Sequence, residues 1–350
     1  MSKSLVLVVG AGASKEVGLP IGAELRSKIA EALNIQYEYG RTQVSGSKHI
    51  DNAFRVLVED LNPPSNNINS HLESSWRIRD AMPQAISIDN FIDSHREDER
   101  IAICGKLAIA NCILAAEAES DLYVHRREHH SKIDFTSVES TWFNAFFQLL
   151  TENCREQEIE ARLGQVAIIT FNYDRCIEHY LHGALQNYYG VSSQRAAEAL
   201  KQLQVFHPYG SVGTLPWQQG EGIEFGASLH GRKLVQVSKG IRTFTEGTDP
   251  EHSDVESIQS VLKQARRIAF LGFAFHRLNL SLLFPGLADG SQLPVRPAYA
   301  TGLGISRSDG EEITRELSQL GAVATGQFRF RNDLTCAKLF TEYWRSLGLS

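Results

Sequence analysis

The sequence predicts an α/β protein with a Rossmann-like, doubly wound, mostly parallel sheet that carries a large helical insertion. Short apolar runs, such as residues 5–9 and 166–171, alternate with helical segments near both ends of the chain. This alternation is typical of buried parallel strands and their crossover helices. A glycine-rich turn follows the first run, as in nucleotide-binding units. Residues 50–155 instead show mostly helical periodicity and no convincing strand.

The first unit is a strand over residues 5–9 and a helix over 21–33, with Ile21, Leu25, Ile29 and Leu33 on one face. Further strands are predicted at 166–171, 204–206, 268–271, 298–301 and, more weakly, 322–324. Further helices are predicted at 88–95, 100–118, 138–154, 173–185, 194–203, 255–264, 310–320 and 334–347. These elements divide the chain into a Rossmann-like domain (1–35 and 161–350) and a helical insertion or cap (36–160).

Composition argues against several classes of protein. The chain has 350 residues, a net charge of -6 and a pI near 6.1, which disfavours direct binding to nucleic acid. Its five cysteines are scattered and form no C-x-x-C pair, so reduced thiols in a cytoplasmic protein are expected, without a zinc ribbon or other metal. No stretch approaches the roughly 20 apolar residues of a membrane-spanning helix, so no membrane partner is expected.

The glycine-rich turn is Gly10-Ala11-Gly12-Ala13-Ser14. Glycines let the backbone approach phosphate groups, and the N-terminus of the following helix offers free N–H groups and a positive dipole. The match to the dinucleotide fingerprint is incomplete, because Lys15 occupies the place of the third glycine. No Gly-Lys-Ser/Thr of a P-loop occurs here. A tight turn without a ligand is the alternative interpretation.

Two further motifs follow predicted strands. Thr170-Phe171-Asn172-Tyr173-Asp174 ends the strand at 166–171, where open α/β sheets place their ligands. An amide such as Asn172 can position a nucleophile without titrating, and Asp174 can accept a carboxamide N–H or cap the helix beginning near Arg175. His207 follows the strand at 204–206; an isolated histidine is more often structural, but its ordinary pKa of about 6.5 suits a general base.

Together with Gly18-Leu19-Pro20, these motifs resemble sirtuins, in which a Gly-Ala-Gly-x-Ser turn leads to a Gly-Ile-Pro-type loop and a Thr-x-Asn-x-Asp signature precedes the catalytic histidine. Sirtuins that deacetylate proteins continue with Asp-Phe-Arg after that proline. This chain has Ile21-Gly22-Ala23 there. The difference is typical of the divergent prokaryotic sirtuin-like branch, many of whose members degrade NAD in antiviral defence.

The segment 267–279 resembles the late sirtuin Gly-Thr-Ser segment beside the adenosine; Gly272 matches it and Ala274 departs from the usual serine. Asn279 is equally well explained as a residue that starts a helix. The turn 301–304 could border the adenine. The resemblance implies Asn172 and His207 as catalytic residues. It implies that NAD is bound by Gly10, Ala11, Gly12, Ser14, Pro20, Thr170, Asp174, Gly272 and Asn279.

The resemblance implies an NAD glycohydrolase, with NAD as substrate and nicotinamide and ADP-ribose as products, acting in bacterial antiphage defence. Nicotinamide is a cationic leaving group and the transition state is oxocarbenium-like, so a catalytic pair of carboxylates is not required. The alternatives are an NAD-dependent protein deacylase, which would carry the missing zinc ribbon, and a noncatalytic sensor of NAD or ADP-ribose. Relatives imply a homo-oligomer and an ATPase or Argonaute-type defence partner.

Overall fold

The computed structural model describes residues 3–125, 132–247, 254–286, 296–324 and 326–349. The strands in these ranges are β1 (Leu5–Val9), β2 (Gln36–Glu38), β3 (Thr42–Ser45), β4 (Val166–Thr170), β5 (Gln204–Phe206), β6 (Ile268–Leu271), β7 (Ala298–Thr301) and β8 (Phe328–Arg331).

The helices over the same ranges include several of a single turn. They are α1 (Ala11–Ser14), α2 (Gly22–Leu33), α3 (Lys48–Glu59), α4 (Asn69–Ala81), α5 (Ile88–Ser94), α6 (Glu99–Glu119), α7 (Trp142–Thr151), α8 (Ile159–Gly164), α9 (Cys176–Tyr189), α10 (Ser193–Leu200), α11 (Arg232–Ser238), α12 (Phe244–Gly247), α13 (Val255–Gln264), α14 (Arg277–Leu283), α15 (Arg307–Gln319), α16 (Cys336–Glu342) and α17 (Trp344–Leu347). Short 3₁₀ turns lie at Lys15–Val17 and Glu156–Glu158.

Six strands form one parallel sheet in the order β5-β4-β1-β6-β7-β8. Counted by their position in the chain, these six strands run 3-2-1-4-5-6 across the sheet, which is the order of dinucleotide-binding Rossmann sheets. The order reverses direction between β1 and β6, so the chain leaves the centre of the sheet toward opposite edges. The predicted α/β, Rossmann-like class with a parallel sheet and added helices is confirmed.

Both faces of the sheet are buried under helices. Val6 and Val8 of β1 share one core with residues of α2 to α6, while Leu5, Leu7 and Val9 share the other core with residues of α7, α9 and α16. All five residues of β1 are fully buried, which explains why the strand reads as a continuous apolar run. Helices of the segment 36–160 thus contribute to both cores. The division of the chain at residues 35 and 161 stays a prediction.

The helix after the glycine turn begins one residue later than its apolar spacing suggests. Leu25, Ile29 and Leu33 of α2 are buried, whereas Ile21 is 38% exposed and precedes the helix as its N-cap residue. The backbone N–H of Ile21 donates to the Glu24 carboxylate at 3.0 Å. The carboxylate thereby satisfies an N–H that the helix leaves unpaired at its N-terminus.

The last strand lies later in the chain than predicted. Residues 322–324 form no strand; Ala322 and Val323 are fully buried in the loop after α15, so their apolar character reflects loop packing. β8 instead comprises Phe328, Arg329, Phe330 and Arg331, and it pairs only with β7 at the sheet edge. An edge strand needs just one apolar face, which explains the alternating sequence.

A small antiparallel hairpin, β2 and β3, lies outside the main sheet and was not anticipated. Its residues are mostly polar and are exposed or half-buried, so they show neither a buried run nor a clear alternation of apolar side chains. The connection comprises residues 39–41, because Glu38 pairs with Thr42. Tyr39 and Gly40 have positive φ, 51° and 65°, and the N–H of Arg41 donates to the carbonyl of Glu38 at 3.1 Å, as in a type I′ turn. Backbone pairing and turn geometry define this element.

Helix α6 is long and apolar enough to cross a bilayer by length and composition, contrary to the expectation that no stretch approaches this length. However, 67% of its apolar window is buried inside the fold. Its buried side chains, including Leu107, Ile109 and Ile113, belong to the same core as the sheet. The apolar character of α6 is therefore explained by its position as a central core helix.

Candidate functional site

The loops that follow β1 and β6 meet where the strand order reverses. Open α/β sheets bind ligands in the crevice outside the carboxyl ends of the strands at this position. Here a cavity of about 580 Å³ is lined by Gly12, Gly272 and the turn 301–304, among other residues. We call it the switch-point crevice. It has the size of a small-molecule site.

Close backbone contact explains the glycines at this crevice. The N–H of Gly12 donates to the carbonyl of Gly272 at 3.0 Å, and the N–H of Gly10 donates to the carbonyl of Leu271 at 3.0 Å. Gly272 has a φ of +55°, and a Cβ there would lie 2.1 Å from the backbone nitrogen of Ala13. These glycines therefore join the two loops, and a role in binding phosphate stays a prediction.

The motif after β4 lies against the glycine turn in a buried hydrogen-bond network. The side-chain amide of Asn172 donates to the carbonyl of Gly10 at 3.2 Å and to the Ser14 hydroxyl at 2.9 Å. The Thr170 hydroxyl accepts the backbone N–H of Asn172 at 3.2 Å. Asn172 is only 7% exposed, so its amide is rigidly oriented by the protein.

Asp174 belongs to the same network and lies two residues before α9, whose N-cap position is held by Arg175. Its carboxylate accepts the backbone N–H of Cys176, the first residue of α9, at 3.1 Å, and it contacts the Ser14 hydroxyl. Burial raises the pKa of Asp174 above its ordinary value, although these hydrogen bonds oppose that rise. Ser14 thus links the side chains of Asn172 and Asp174.

His207 lies between two hydrogen-bond acceptors. Its Nδ1 is 3.2 Å from the backbone carbonyl oxygen of Asn172, and its Nε2 is 2.8 Å from Oε1 of Glu178. Neutral imidazole carries only one N–H, so donation to both acceptors requires the doubly protonated imidazolium. The geometry therefore describes His207 as a cation that is paired with Glu178.

Electrostatics agree with this ion pair. Burial by itself would lower the pKa of His207, but the Glu178 carboxylate, together with the Asn172 carbonyl and Asp174, raises that pKa above its ordinary value. Burial by itself would raise the pKa of Glu178, but His207, together with a backbone hydrogen bond and Arg175, lowers it. Both shifts favour the charged form of the group.

The His207–Glu178 pair faces a second cavity, of about 930 Å³, which we call the His207 cavity. It lies beside β5, α9 and α10, and its lining includes Glu178, Leu203, His207 and Trp217. None of the residues that line it lines the switch-point crevice. Asn172 and Ser14 connect the two regions, since Asn172 bonds Gly10 with its amide and His207 with its carbonyl.

Two of the predicted NAD-binding residues lie apart from this network. Pro20 is buried and does not line the switch-point crevice, whereas Ile21 and Gly22 next to it do. Asn279 is the third residue of α14, and its side-chain oxygen accepts a hydrogen bond from the Tyr209 hydroxyl. Ala11 lines the crevice beside Gly12.

Glu178 was missed by the sequence analysis. A weak signal was present, because Glu178 lies in the first turn of α9, directly after the strand-end motif that contains Asp174. Its partner His207 stands 29 residues later, directly after β5, the strand that pairs with β4. Only the order of the strands shows that the two side chains meet.

A second buried ion pair holds the loop before α9. Arg175 and Glu117 are 2% and 0% exposed, and the guanidinium donates to the carboxylate through Nε at 3.1 Å and Nη2 at 2.6 Å. Nη1 and Nη2 of Arg175 also donate to the carbonyls of Ile223 and Glu224, at 2.6 and 3.1 Å. The pair connects α6, which contains Glu117, to the loop that contains Asn172 and Arg175.

Within the described ranges, no three His, Cys, Asp or Glu side chains are grouped so that they could hold a metal ion. No protein-family model matches the chain, and no curated protein matches its sequence. The contacts of the two cavities therefore provide the basis for a functional assignment.

Proposed function

We propose that this protein cleaves the N-glycosidic bond of NAD with water, which yields nicotinamide, ADP-ribose and a proton. The observation that carries the proposal is one continuous hydrogen-bonded chain. It runs from Gly10, which precedes the crevice-lining Ala11 and Gly12, through Asn172 to His207 and Glu178. A glycine loop, an oriented amide and a titratable base are the parts that such a reaction needs.

The chemistry assigns a separate task to each part. The switch-point crevice would hold the dinucleotide at the strand ends, and Asn172 would orient the reacting end without changing its own charge. His207 would accept the proton that water loses. Since the imidazolium has no lone pair to accept a proton, it must first release one, and Glu178 opposes that release by stabilising the cation.

One observation favours a second candidate, a noncatalytic sensor of NAD or ADP-ribose. Both nitrogens of His207 are engaged, and Asn172 is buried. A protein of this kind would need the crevice but not a free base. Measured turnover distinguishes this candidate from the glycohydrolase, because both bind the dinucleotide and only the enzyme releases nicotinamide.

We further propose that the protein acts in the cytoplasm as an effector of antiphage defence and that it assembles as a homo-oligomer, with an ATPase or Argonaute-type protein as a possible partner. The segment 36–160 carries exposed apolar side chains, with Tyr39 92% and Val44 56% exposed. Such side chains suit an assembly surface. The mass of the purified protein in solution tests the oligomer.

The decisive experiment measures nicotinamide released from NAD by the purified protein. We expect release by the wild type and a loss of about a hundredfold or more in Asn172→Ala and His207→Ala, the scale of a lost acid–base or positioning group. His230→Ala is the matched control, because His230 is exposed and lies outside both cavities. Circular dichroism verifies that each variant is folded.

Binding of NAD without release by the wild type would favour the sensor. Neither binding nor release would overturn the proposal. Equal activity of the wild type and folded His207→Ala would remove His207 as the base.

A further inference from the structure

Ser14 of the glycine turn is buried, although it was predicted to bind NAD. It is the last residue of α1 and is 1% exposed. It lines neither the switch-point crevice nor the His207 cavity. A dinucleotide seated in either cavity therefore contacts other residues, and the Ser14 hydroxyl could act on it only through its neighbours.

The direction of hydrogen bonding at Ser14 follows from its two partners. A serine hydroxyl has one hydrogen to donate and two lone pairs that accept. The Asp174 carboxylate accepts that hydrogen, and it also accepts the N–H of Cys176 at 3.1 Å. The lone pairs are left for the side-chain amide of Asn172, which donates to Oγ of Ser14 at 2.9 Å. Donation therefore runs from Asn172 through Ser14 to Asp174.

This direction fixes the orientation of the Asn172 amide. An asparagine amide has two N–H donors on its nitrogen and an acceptor oxygen, and a half-turn of the group exchanges them. Here one N–H is directed to Ser14 and the other to the carbonyl of Gly10 at 3.2 Å. The reversed orientation would place the amide oxygen against the Gly10 carbonyl oxygen, with no hydrogen between two acceptors. Both N–H groups are therefore used inside the protein, and the amide oxygen Oδ1 is left to meet a substrate.

An amide oxygen held in one orientation suits the reaction proposed above. Cleavage of the N-glycosidic bond passes through an oxocarbenium-like state with positive charge on the ribosyl ring. A fixed oxygen dipole stabilises such a charge, and it can also accept a hydrogen bond from the attacking water. A rotating amide would present its N–H donors at the same place for part of the time, which opposes both effects. The orientation of Asn172 therefore matters more to the transition state than to the binding of NAD.

We propose that Ser14 is a positioning residue, whose hydroxyl holds the Asn172 amide so that Oδ1 meets the reacting end of the dinucleotide. The inference rests on the proposed function for its substrate, and it adds a task for Ser14 that does not require contact with NAD. Asp174 has a part in the same arrangement, since it accepts the hydroxyl hydrogen and leaves the Ser14 oxygen to accept from Asn172.

Steady-state release of nicotinamide by the full-length protein tests the proposal through kcat and KM separately. In Ser14→Ala we expect kcat to fall by about tenfold to a hundredfold, the scale of a misoriented group, while the KM for NAD and the Kd for ADP-ribose stay within about twofold. Ser238→Ala is the matched control, because Ser238 is also buried and its hydroxyl donates to the carbonyl of Val235 in its own helix at 2.8 Å. Its kcat and KM stay at the wild-type values. Ser14→Cys, whose thiol is a weak acceptor, lowers kcat in the same direction and covers the case in which Ser14→Ala does not fold.

The side-chain amide of Asn172 reports its own orientation without turnover. In NMR spectra of protein with isotope-labelled asparagine, its two N–H signals are identified by their loss in Asn172→Ala. We expect these hydrogens to exchange with deuterium about tenfold faster in Ser14→Ala than in the wild type, the scale of one lost hydrogen bond. Ser238→Ala leaves their exchange unchanged.

The outcomes separate positioning from direct contact. A rise in KM or in the Kd for ADP-ribose that accounts for the whole loss of kcat/KM would make Ser14 a contact of the dinucleotide and overturn the proposal. Unchanged kcat in folded Ser14→Ala, or unchanged exchange of the Asn172 amide, overturns it as well. If the wild type releases no nicotinamide, the proposed function fails, and amide exchange alone decides whether Ser14 positions Asn172.

Discussion

Two buried ion pairs lie at the start of α9 and differ in completeness. In the Glu117–Arg175 pair, the carboxylate accepts from the guanidinium and from the backbone N–H groups of Arg175 and Gly226. In the Glu178–His207 pair, one carboxylate oxygen is bound and the other is buried without a partner among the described residues. We call the first pair closed, because protein groups bind both oxygens of its carboxylate, and the second pair open, because one oxygen of its carboxylate has no partner.

The cations of the two pairs also differ in chemistry. Arginine stays charged throughout the range in which proteins are folded, whereas histidine can release its proton near neutral pH. Removal of the Glu117 carboxylate therefore leaves the positive charge of Arg175 buried without a counter-ion. After removal of the Glu178 carboxylate, His207 can become neutral by losing its proton. Two ion pairs of similar burial can therefore differ in role: one only stabilises the fold, and the other contains a group that can change its charge near neutral pH.

The largest effect is expected from Glu117→Gln, which leaves Arg175 charged and unpaired in the interior. We expect a loss of about 3–5 kcal/mol in the free energy of unfolding, the cost of breaking a buried pair by removing one partner. Urea unfolding at pH 7 measures it.

The matched control for that prediction is Glu119→Gln, in the same helix. Glu119 contacts Lys28 at 3.4 Å, and both side chains are exposed, so the change should stay within about 1 kcal/mol. If the free energy of unfolding falls by the same small amount in both variants, the Glu117–Arg175 pair does not stabilise the fold.

Much of the sheet could be predicted because fully buried strands read as continuous apolar runs. β1, β4, β6 and β7 are buried at every residue, and each was located from such a run. The edge strand β8 and the small hairpin were missed, since one has a single apolar face and the other is mostly polar. Element type is therefore clearest where both faces of a strand are covered.

The candidate site was predictable only where it follows strand ends. Parallel strands bring the residues after β1, β4 and β5 to one edge of the sheet, so the meeting of Ser14, Asn172 and His207 follows from topology. Partners contributed by helices could not be predicted this way. Glu117 joins Arg175 across 58 residues, and no local spacing in the sequence relates them.

A smaller effect is expected from Glu178→Gln. Without the carboxylate, His207 can lose its proton, so no buried charge has to remain unpaired. We expect a loss of about 1–2 kcal/mol in the free energy of unfolding at pH 7, the scale of a lost charged hydrogen bond. Urea unfolding beside the exposed Glu198→Gln variant measures it. A loss as large as that of Glu117→Gln would erase the distinction between the open and the closed pair.

The smallest effect is the pH dependence of the open pair. The pKa of His207 is raised above its ordinary 6.5, so the folded state favours the proton and gains stability that is complete below about pH 6.5 and lost as pH rises through the folded-state pKa. The pKa of Glu178 is lowered from its ordinary 4.5, so its contribution is complete above about pH 4.5 and lost as pH falls through its folded-state pKa. The two contributions therefore coincide between about pH 4.5 and 6.5.

We therefore expect the stability difference between wild type and His207→Gln to be larger at pH 6 than at pH 9, by an amount on the order of 1 kcal/mol, comparable with one hydrogen bond. Urea unfolding at both pH values measures this difference, with His230→Gln at an exposed position as the control for removing a histidine. A difference that stays constant, or grows toward pH 9, would contradict a charged His207 in the folded state. Glu178 and His207 would then be joined by a hydrogen bond to a neutral imidazole. The two pairs would differ in charge, and also in whether every carboxylate oxygen has a partner.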